Sequence, residues 1–171
     1  MAYVIQGQKL PLVFCSNYCV SSSLVGKALV GLGGEQQGGH YGTPDLIPDD
    51  AVIAQTVRSH FDVLASCWRV GDHALSFDSY VQRVLDGHHR YLRPDAFYGQ
   101  FGEWDYILRY ETLQFELDTL FLHVGLPEVK LPFFGPNVQK AHSETLFSRR
   151  LQDKVTARYG DELERIGYGV A

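Results

Sequence analysis

Three short runs of the chain are rich in apolar residues, and helix-like spacing follows close behind each. LPLVFCS (10–16) and AVIAQTV (51–57) have the length and the β-branched or aromatic content of buried strands, and DYILRY (105–110) reads as a third. Residues 22–32 mix small and apolar residues at helical spacing and end at Gly33-Gly34. HFDVLASCWRV (60–70) reads as a second helix. SFDSYVQRVLDGHHRYL (76–92) follows with a serine cap, and Phe77, Tyr80, Val81 and Val84 share one face. A helix through LQFELDTLFLHVGL stops near Gly125, and an amphipathic one spans roughly 143–160. YVIQGQ near the start suits an edge strand or a hairpin arm. Residues 31–50, rich in glycine, proline and aspartate, read as a long loop, as does LPFFGPN (131–137). Strands alternating with helices predict one α/β domain over 1–171, built on a small, mostly parallel sheet flanked by helices. The strands near 11–15, 52–57 and 105–110 should lie side by side and parallel, with a helix opening at 21–23.

Composition narrows the function classes. The 171 residues are 45% apolar and 20% charged, which suits a globular chain with a real core. A net charge of −5 argues against a nucleic-acid binder driven by global basicity. Lys9 and Lys27 are the sole cationic side chains before Arg58, so an anion site in that region must draw on them. Cys15, Cys19 and Cys67 form an odd set without paired spacing, and read as reduced thiols with two of them in the core. Neither a membrane-spanning apolar run nor a signal-peptide pattern occurs, so the expected setting is cytoplasmic.

Among the candidate motifs, Ser21, Ser22 and Ser23 stand between a strand and a helix. Two readings are open: a helix N-cap, or hydroxyls added to the free N–H groups and positive dipole end that attract an anion. The glycines at 31, 33, 34, 38 and 39 follow a helix instead of a strand, so they fail the context of a dinucleotide loop, and no Gly-Lys-Ser/Thr triplet occurs. None of the seven histidines falls at a metal-site spacing, and no metal is expected. His88-His89 read as solvated helix residues, and Cys19 as core or loop packing. VRSHFDVLASCWR (57–69) puts Arg58 at the end of a buried strand and Ser66 eight residues on, in the following helix. Ligands of open α/β sheets bind at the carboxyl ends of strands, where a guanidinium can hold a phosphate bidentately. The competing reading is an Arg58–Asp62 surface pair beside a buried serine.

Arg58, Asp62 and Ser66 match in identity and spacing the 3′-phosphate motif of the sulfotransferase family, roughly Arg-Asn-Pro-x-Asp-x-x-x-Ser, with Ser59-His60 standing at Asn-Pro. ILRYETLQFELDTLFLHVGLP (107–127) is similar to the family's YEDL segment, with Tyr110, Glu111 and Leu113 in register. LQDKVTARYGDELERIGYG resembles the C-terminal helix and Gly-Tyr close of carbohydrate-type members, and FCSNYCVSSSLVGKAL sits where the family keeps its 5′-phosphosulfate loop. The resemblance covers nearly the whole chain in the right order. It implies a P-loop-NTPase-like sulfotransferase fold, with 3′-phosphoadenosine-5′-phosphosulfate (PAPS) as co-substrate and a small-molecule or carbohydrate hydroxyl as acceptor. By the same resemblance the serines at 21–23 cradle the phosphosulfate, Arg58 and Ser66 the 3′-phosphate, Tyr110 lies near the adenine, and Lys140 contacts the 3′-phosphate.

The departures bear on catalysis. Where the family loop carries Lys or Arg before a Gly, this chain has Tyr18-Cys19-Val20. The missing cation would stabilise charge on the bridging oxygen, and losing one such group costs on the order of 10²–10³ in rate. Lys27, about one turn into the helix, is the candidate replacement. His40, in the loop before the second strand, is the candidate general base, because imidazole titrates near neutrality; an exposed loop histidine is the bland alternative. The reading is therefore a compact sulfotransferase-type domain with weak or lost transfer. Its rival is the same fold reused as a structural or interaction subunit of a larger assembly, such as a virus particle.

Overall fold

A computed structural model describes residues 2–15, 22–37, 47–71, 74–89, 104–132 and 145–169. The chain divides into two compact units, each made of two stretches: Met1–Val57 with Gln100–Phe134, and Arg58–Gly99 with Gly135–Ala171.

The first unit is built on a five-stranded sheet. Its strands are β1 (Ala2–Gln6), β2 (Pro11–Cys15), β3 (Glu35–Gln37), β4 (Val52–Val57) and β5 (Tyr106–Arg109), in the spatial order β3-β1-β2-β4-β5. β2, β4 and β5 are parallel neighbours, with Leu12 opposite Val52 and Ala54 opposite Tyr106, as the three apolar runs predict. β1 is antiparallel to both β2 and β3. The sheet is therefore mixed instead of mostly parallel. The physical reason is the short turn at 7–10, which lets β1 return directly against β2, something only an antiparallel pair permits. Glu35–Gln37 lies inside the stretch expected to be loop; it is a three-residue, largely polar edge strand with no apolar alternation to reveal it.

Alternation sorts the core of this unit. Tyr3, Ile5, Leu12, Phe14, Val52, Ala54 and Leu108 cluster with Val25 and Leu29 of α1 (Ser22–Gly31) and with Leu113, Leu117, Leu120, Phe121 and Val124 of α4 (Leu113–Val124). The α4 positions recur at three and four residues, one stripe of a helix. Burial of each large apolar side chain contributes about 1.5–3 kcal/mol, so this stripe is what holds α4 on the sheet. Asp105 sets the β4–β5 register from below: its N–H donates to Ile53 O at 2.9 Å, and its Oδ2 accepts from Ile53 N at 2.7 Å. The 7–10 turn also meets the end of α4. The N–H groups of Lys9 and Leu10 donate to Val124 O at 3.1 and 3.3 Å, and Lys9 Nζ donates to Leu122 O at 3.0 Å, so carbonyls that a helix end leaves without partners are satisfied. Gly125, at φ +79°, is the left-handed residue that ends α4 as the sequence predicts.

The described residues of the second unit include the helices α2 (His60–Gly71), α3 (Phe77–Leu85) and α5 (Arg149–Arg165). Ser76 caps α3, its Oγ accepting from Ser79 N. Phe77, Tyr80, Val81 and Val84 are buried, as their spacing requires. α3 stops at Leu85, well before residue 92, because Asp86 caps it and Gly87 takes φ +79°. His88 and His89 thus lie beyond the helix, where His89 Nε2 meets Tyr80 Oη at 3.3 Å. α5 begins at Arg149 and runs on to Arg165, later at both ends than expected, and buries Leu151, Val155, Tyr159 and Leu163 at intervals of four. Edge-to-face aromatic pairs bind the unit: Phe77 with Phe147 at 4.7 Å, Phe61 with Phe147 at 5.0 Å and Trp68 with Phe77 at 5.4 Å between centroids. Among the described residues no helix is long and apolar enough to cross a membrane.

Candidate functional site

Because β2, β4 and β5 are parallel, their carboxyl ends share one edge of the sheet. Each leads to one of the segments singled out in the sequence. β2 ends at Cys15, and α1 opens at Ser22 with Ser23 behind it. The first turn of a helix offers N–H groups without intrahelical partners, and no acidic side chain stands in this one. Ser21, His40 and Lys140 lie outside the described residues. Lys27 is exposed on α1. The other early cation, Lys9, precedes β2 at its amino end, away from this edge, and donates to the α4 carbonyl of Leu122. Gly26, the neighbour of Lys27, lies directly against the Tyr3 ring of β1, so the helix approaches the strand as closely as a bare backbone allows.

β4 ends at Val57, and Arg58 is the next residue. The Arg58 side chain is 4% exposed, with Nε 3.9 Å from Asp62 Oδ2. That separation is an ion pair without hydrogen-bond geometry. Asp62 belongs to the first turn of α2, where a carboxylate also favours the helix dipole. Ser66 follows Asp62 by four residues on the same helix face and is half-buried. The structure thus brings Arg58 and Asp62 together, but with the guanidinium buried and not in the surface pair that sequence alone suggests.

β5 ends at Arg109, and Tyr110 opens a single 3₁₀ turn, Tyr110–Thr112, before α4. Tyr110 is half-buried, Glu111 exposed and Leu113 part of the core. Glu116 reaches back to fix this strand-to-helix turn. Its carboxylate accepts from the Arg109 backbone N–H and from Thr112 Oγ1, the latter at 2.8 Å, and pairs with Arg109 Nη1 at 3.5 Å. The sequence signal for it is a threonine and a glutamate four residues apart at a helix start, close to the capping-box pattern.

Sequence reasoning missed a buried pair in the helical unit. His60 is fully buried, and its Nε2 lies 2.7 Å from Glu162 Oε2. The Tyr159 ring stacks at 4.9 Å, and Arg165 Nη2 is 3.6 Å from the other oxygen of Glu162. Burial pushes the imidazole below its ordinary titration range, and the Glu162 hydrogen bond offsets part of that. In Ser59-His60, the histidine therefore begins α2 as a core residue. Its partner is 102 residues away, beyond any spacing rule.

The helical unit also carries an open groove of about 480 Å³ between α3 and α5, where Gln82, Arg83, Asp86, Arg150 and Lys154 meet solvent. Gln82 links the two helices, its Nε2 donating to Asp86 at 2.8 Å while its Oε1 accepts from Lys154 Nζ. Both signs of charge are present and already joined through Gln82, so the groove has no single electrostatic preference.

Compared with known proteins, the chain matches no family model, no curated protein and no solved structure. Among the described residues no three His, Cys, Asp or Glu side chains gather as a metal site would require. Cys15 and Cys67 are buried, as their core reading expects; Cys19 lies outside the described residues.

Proposed function

We propose that the chain binds PAPS, or its product adenosine 3′,5′-bisphosphate, at the carboxyl edge of β2, β4 and β5, and transfers the sulfuryl group slowly to a hydroxyl acceptor. One observation carries the reading. The segments that resemble the sulfotransferase nucleotide contacts leave the sheet from one edge, at the ends of three adjacent parallel strands. The start of α1 supplies N–H donors without an acidic neighbour, which suits the phosphosulfate. Arg58 follows β4 directly and suits the 3′-phosphate, and Tyr110 follows β5 and offers a ring for the adenine.

In the transfer, the acceptor oxygen forms a bond to sulfur as the bond from sulfur to the 5′-phosphate oxygen breaks. The acceptor proton passes to His40, and adenosine 3′,5′-bisphosphate leaves. Charge grows on the leaving oxygen, and the stretch Tyr18-Cys19-Val20 offers no cation to meet it. Slow transfer follows from that composition.

A second reading, the same architecture kept as a structural or interaction subunit, draws on the burial of Arg58 beside Asp62. An arginine committed to an internal carboxylate has less to offer a phosphate. One experiment separates the readings: the thermal shift given by millimolar adenosine 3′,5′-bisphosphate to the wild type, Ser66→Ala and Arg58→Ala, each melted first without nucleotide. The nucleotide reading expects a clear rise in wild type, a smaller one in Ser66→Ala and none in Arg58→Ala. Equal shifts in all three refute the assignment of Arg58, and no shift in wild type favours the structural subunit.

A further inference from the structure

The described histidines differ between the two compact units. The sheet unit holds His123, which is exposed beside the Tyr106 ring and can take up a proton without leaving water. The helical unit holds His60, His88 and His89. His88 is exposed, and His89 is half-buried with Nε2 at 3.3 Å from Tyr80 Oη. His60 is wholly buried. It opens α2, and its Nε2 lies 2.7 Å from Oε2 of Glu162, in the last turn of α5. One hydrogen bond thus ties the start of one helix to the end of another.

An ionised carboxylate accepts and cannot donate, so the hydrogen of this bond belongs to Nε2. An incoming proton must therefore go to Nδ1, inside the core, where desolvation disfavours an imidazolium. The surroundings offset that penalty only in part. On α5, Glu162 shares its charge with Arg165 Nη2 at 3.6 Å, and Tyr159 presents its ring at 4.9 Å. Close to His60 in sequence, Arg58 and Asp62 pair with each other at 3.9 Å. α3 also packs on α2; it buries Phe77, Tyr80, Val81 and Val84, while its Asp78, Arg83 and Asp86 line the open groove.

We propose that mild acid opens the helical unit while the sheet unit stays folded, with proton uptake at His60 parting the start of α2 from the end of α5. Opening lets water reach the imidazolium. Glu162 keeps Arg165, one turn away on its own helix and already exposed, so no carboxylate is left without a counter-charge. The sheet unit has no matching trigger among its described residues, because His123 is hydrated in the folded chain. Local opening of one cooperative unit ahead of another is an ordinary property of folded chains.

Hydrogen exchange of the full chain at about pH 7 and about pH 5.5, corrected for intrinsic exchange and read peptide by peptide, tests the proposal. In wild type, protection of residues 60–71 and 149–165 should fall about fivefold on acidification. Protection of β2, β4, β5 and α4 should change by less than about twofold. His60→Gln keeps a donor toward Glu162 but takes up no proton, and its two units should respond alike. His89→Gln should respond as wild type does. Equal losses in both units of the wild type overturn the proposal, as does no loss in either. A selective loss that persists in His60→Gln, or disappears in His89→Gln, also overturns it. Should His60→Gln fail to fold, the wild type and His89→Gln decide between these outcomes.

Discussion

Gly26 of α1 and Tyr3 of β1 touch so closely that a Cβ on the glycine would fall 2.3 Å from Cζ of the ring and 2.5 Å from its hydroxyl oxygen. The ring has nowhere to retreat, since it is 5% exposed and tilts against Phe14 at 6.3 Å. Alanine is preferred over glycine in a helix interior by about 1 kcal/mol, but forcing a methyl into packed surroundings costs about 1–3 kcal/mol. Gly26→Ala should therefore lower stability, read as a reduced urea midpoint at unchanged slope. With Tyr3→Leu already present, the same substitution should cost less or turn favourable. A Gly26→Ala chain as stable as the wild type would show that the contact is slack.

The buried His60–Glu162 pair makes stability depend on pH. In the unfolded chain the imidazole takes its proton near pH 6.5, whereas in the folded chain burial holds it below that value. The unfolded state therefore binds more protons as pH falls through this range, and stability drops with it. The contribution is present in full above about 6.5 and is lost on acidification through the folded value. Urea midpoints measured between about pH 7 and pH 5.5 should decline more steeply in wild type than in His60→Gln. Parallel declines would remove His60 from the account.

Cys15 occupies β2, 1% exposed, and burial pushes its thiol up to about 12. A thiol in that state supplies almost no thiolate at neutral pH. Peptide mapping after alkylation of the native chain at about pH 8 should find Cys15 unmodified, and labelling should appear only in denaturant. Rapid native labelling would mean that β2 opens locally.

Restoring charge to the Tyr18-Cys19-Val20 stretch is the direct test of slow transfer. Tyr18→Lys should raise sulfuryl transfer from PAPS to a mixed carbohydrate and phenol panel by as much as about 10²-fold, measured with labelled sulfate. The nucleotide thermal shift should stay the same. Wild-type turnover of about 1 per second or faster would show that the chain has found another source of positive charge.

The parallel trio β2, β4 and β5 was legible because each strand carries its own signal, a short apolar run leading toward a helix. The helix stop at Gly125 and the cap at Ser76 were legible for a similar reason: glycine and serine act on their immediate neighbours. β3 was hidden because Glu35, Gln36 and Gln37 pair through backbone alone along an edge. The antiparallel return of β1 turned on reading Gly7 as a tight corner; a Cβ there would lie 2.2 Å from Val124 O, a neighbour far along the chain. At the candidate site, the end of a buried strand points to Arg58, and its pairing with Asp62 at a spacing of four was foreseeable. Its burial was not, because exposure depends on packing that no local pattern encodes. His60 and Glu162 show the same limit more sharply, since neither has a nearby cue that it belongs to the other.

Each compact unit is interrupted by the other along the chain: the sheet unit resumes at Gln100 after the helical unit has begun, and the helical unit resumes at Gly135. A ribosome therefore never releases either unit as one continuous stretch. At about 5–20 residues per second, the 102 residues between His60 and Glu162 take about 5–20 s to synthesise. Through that interval the nascent α2 carries an imidazole whose carboxylate partner has yet to be made. An arrested chain ending before α5 should expose the first half of the helical unit to chaperones and proteases, however complete its sheet. No single proteolytic cut can divide the molecule into its two units either, which makes limited digestion a poor guide to its architecture.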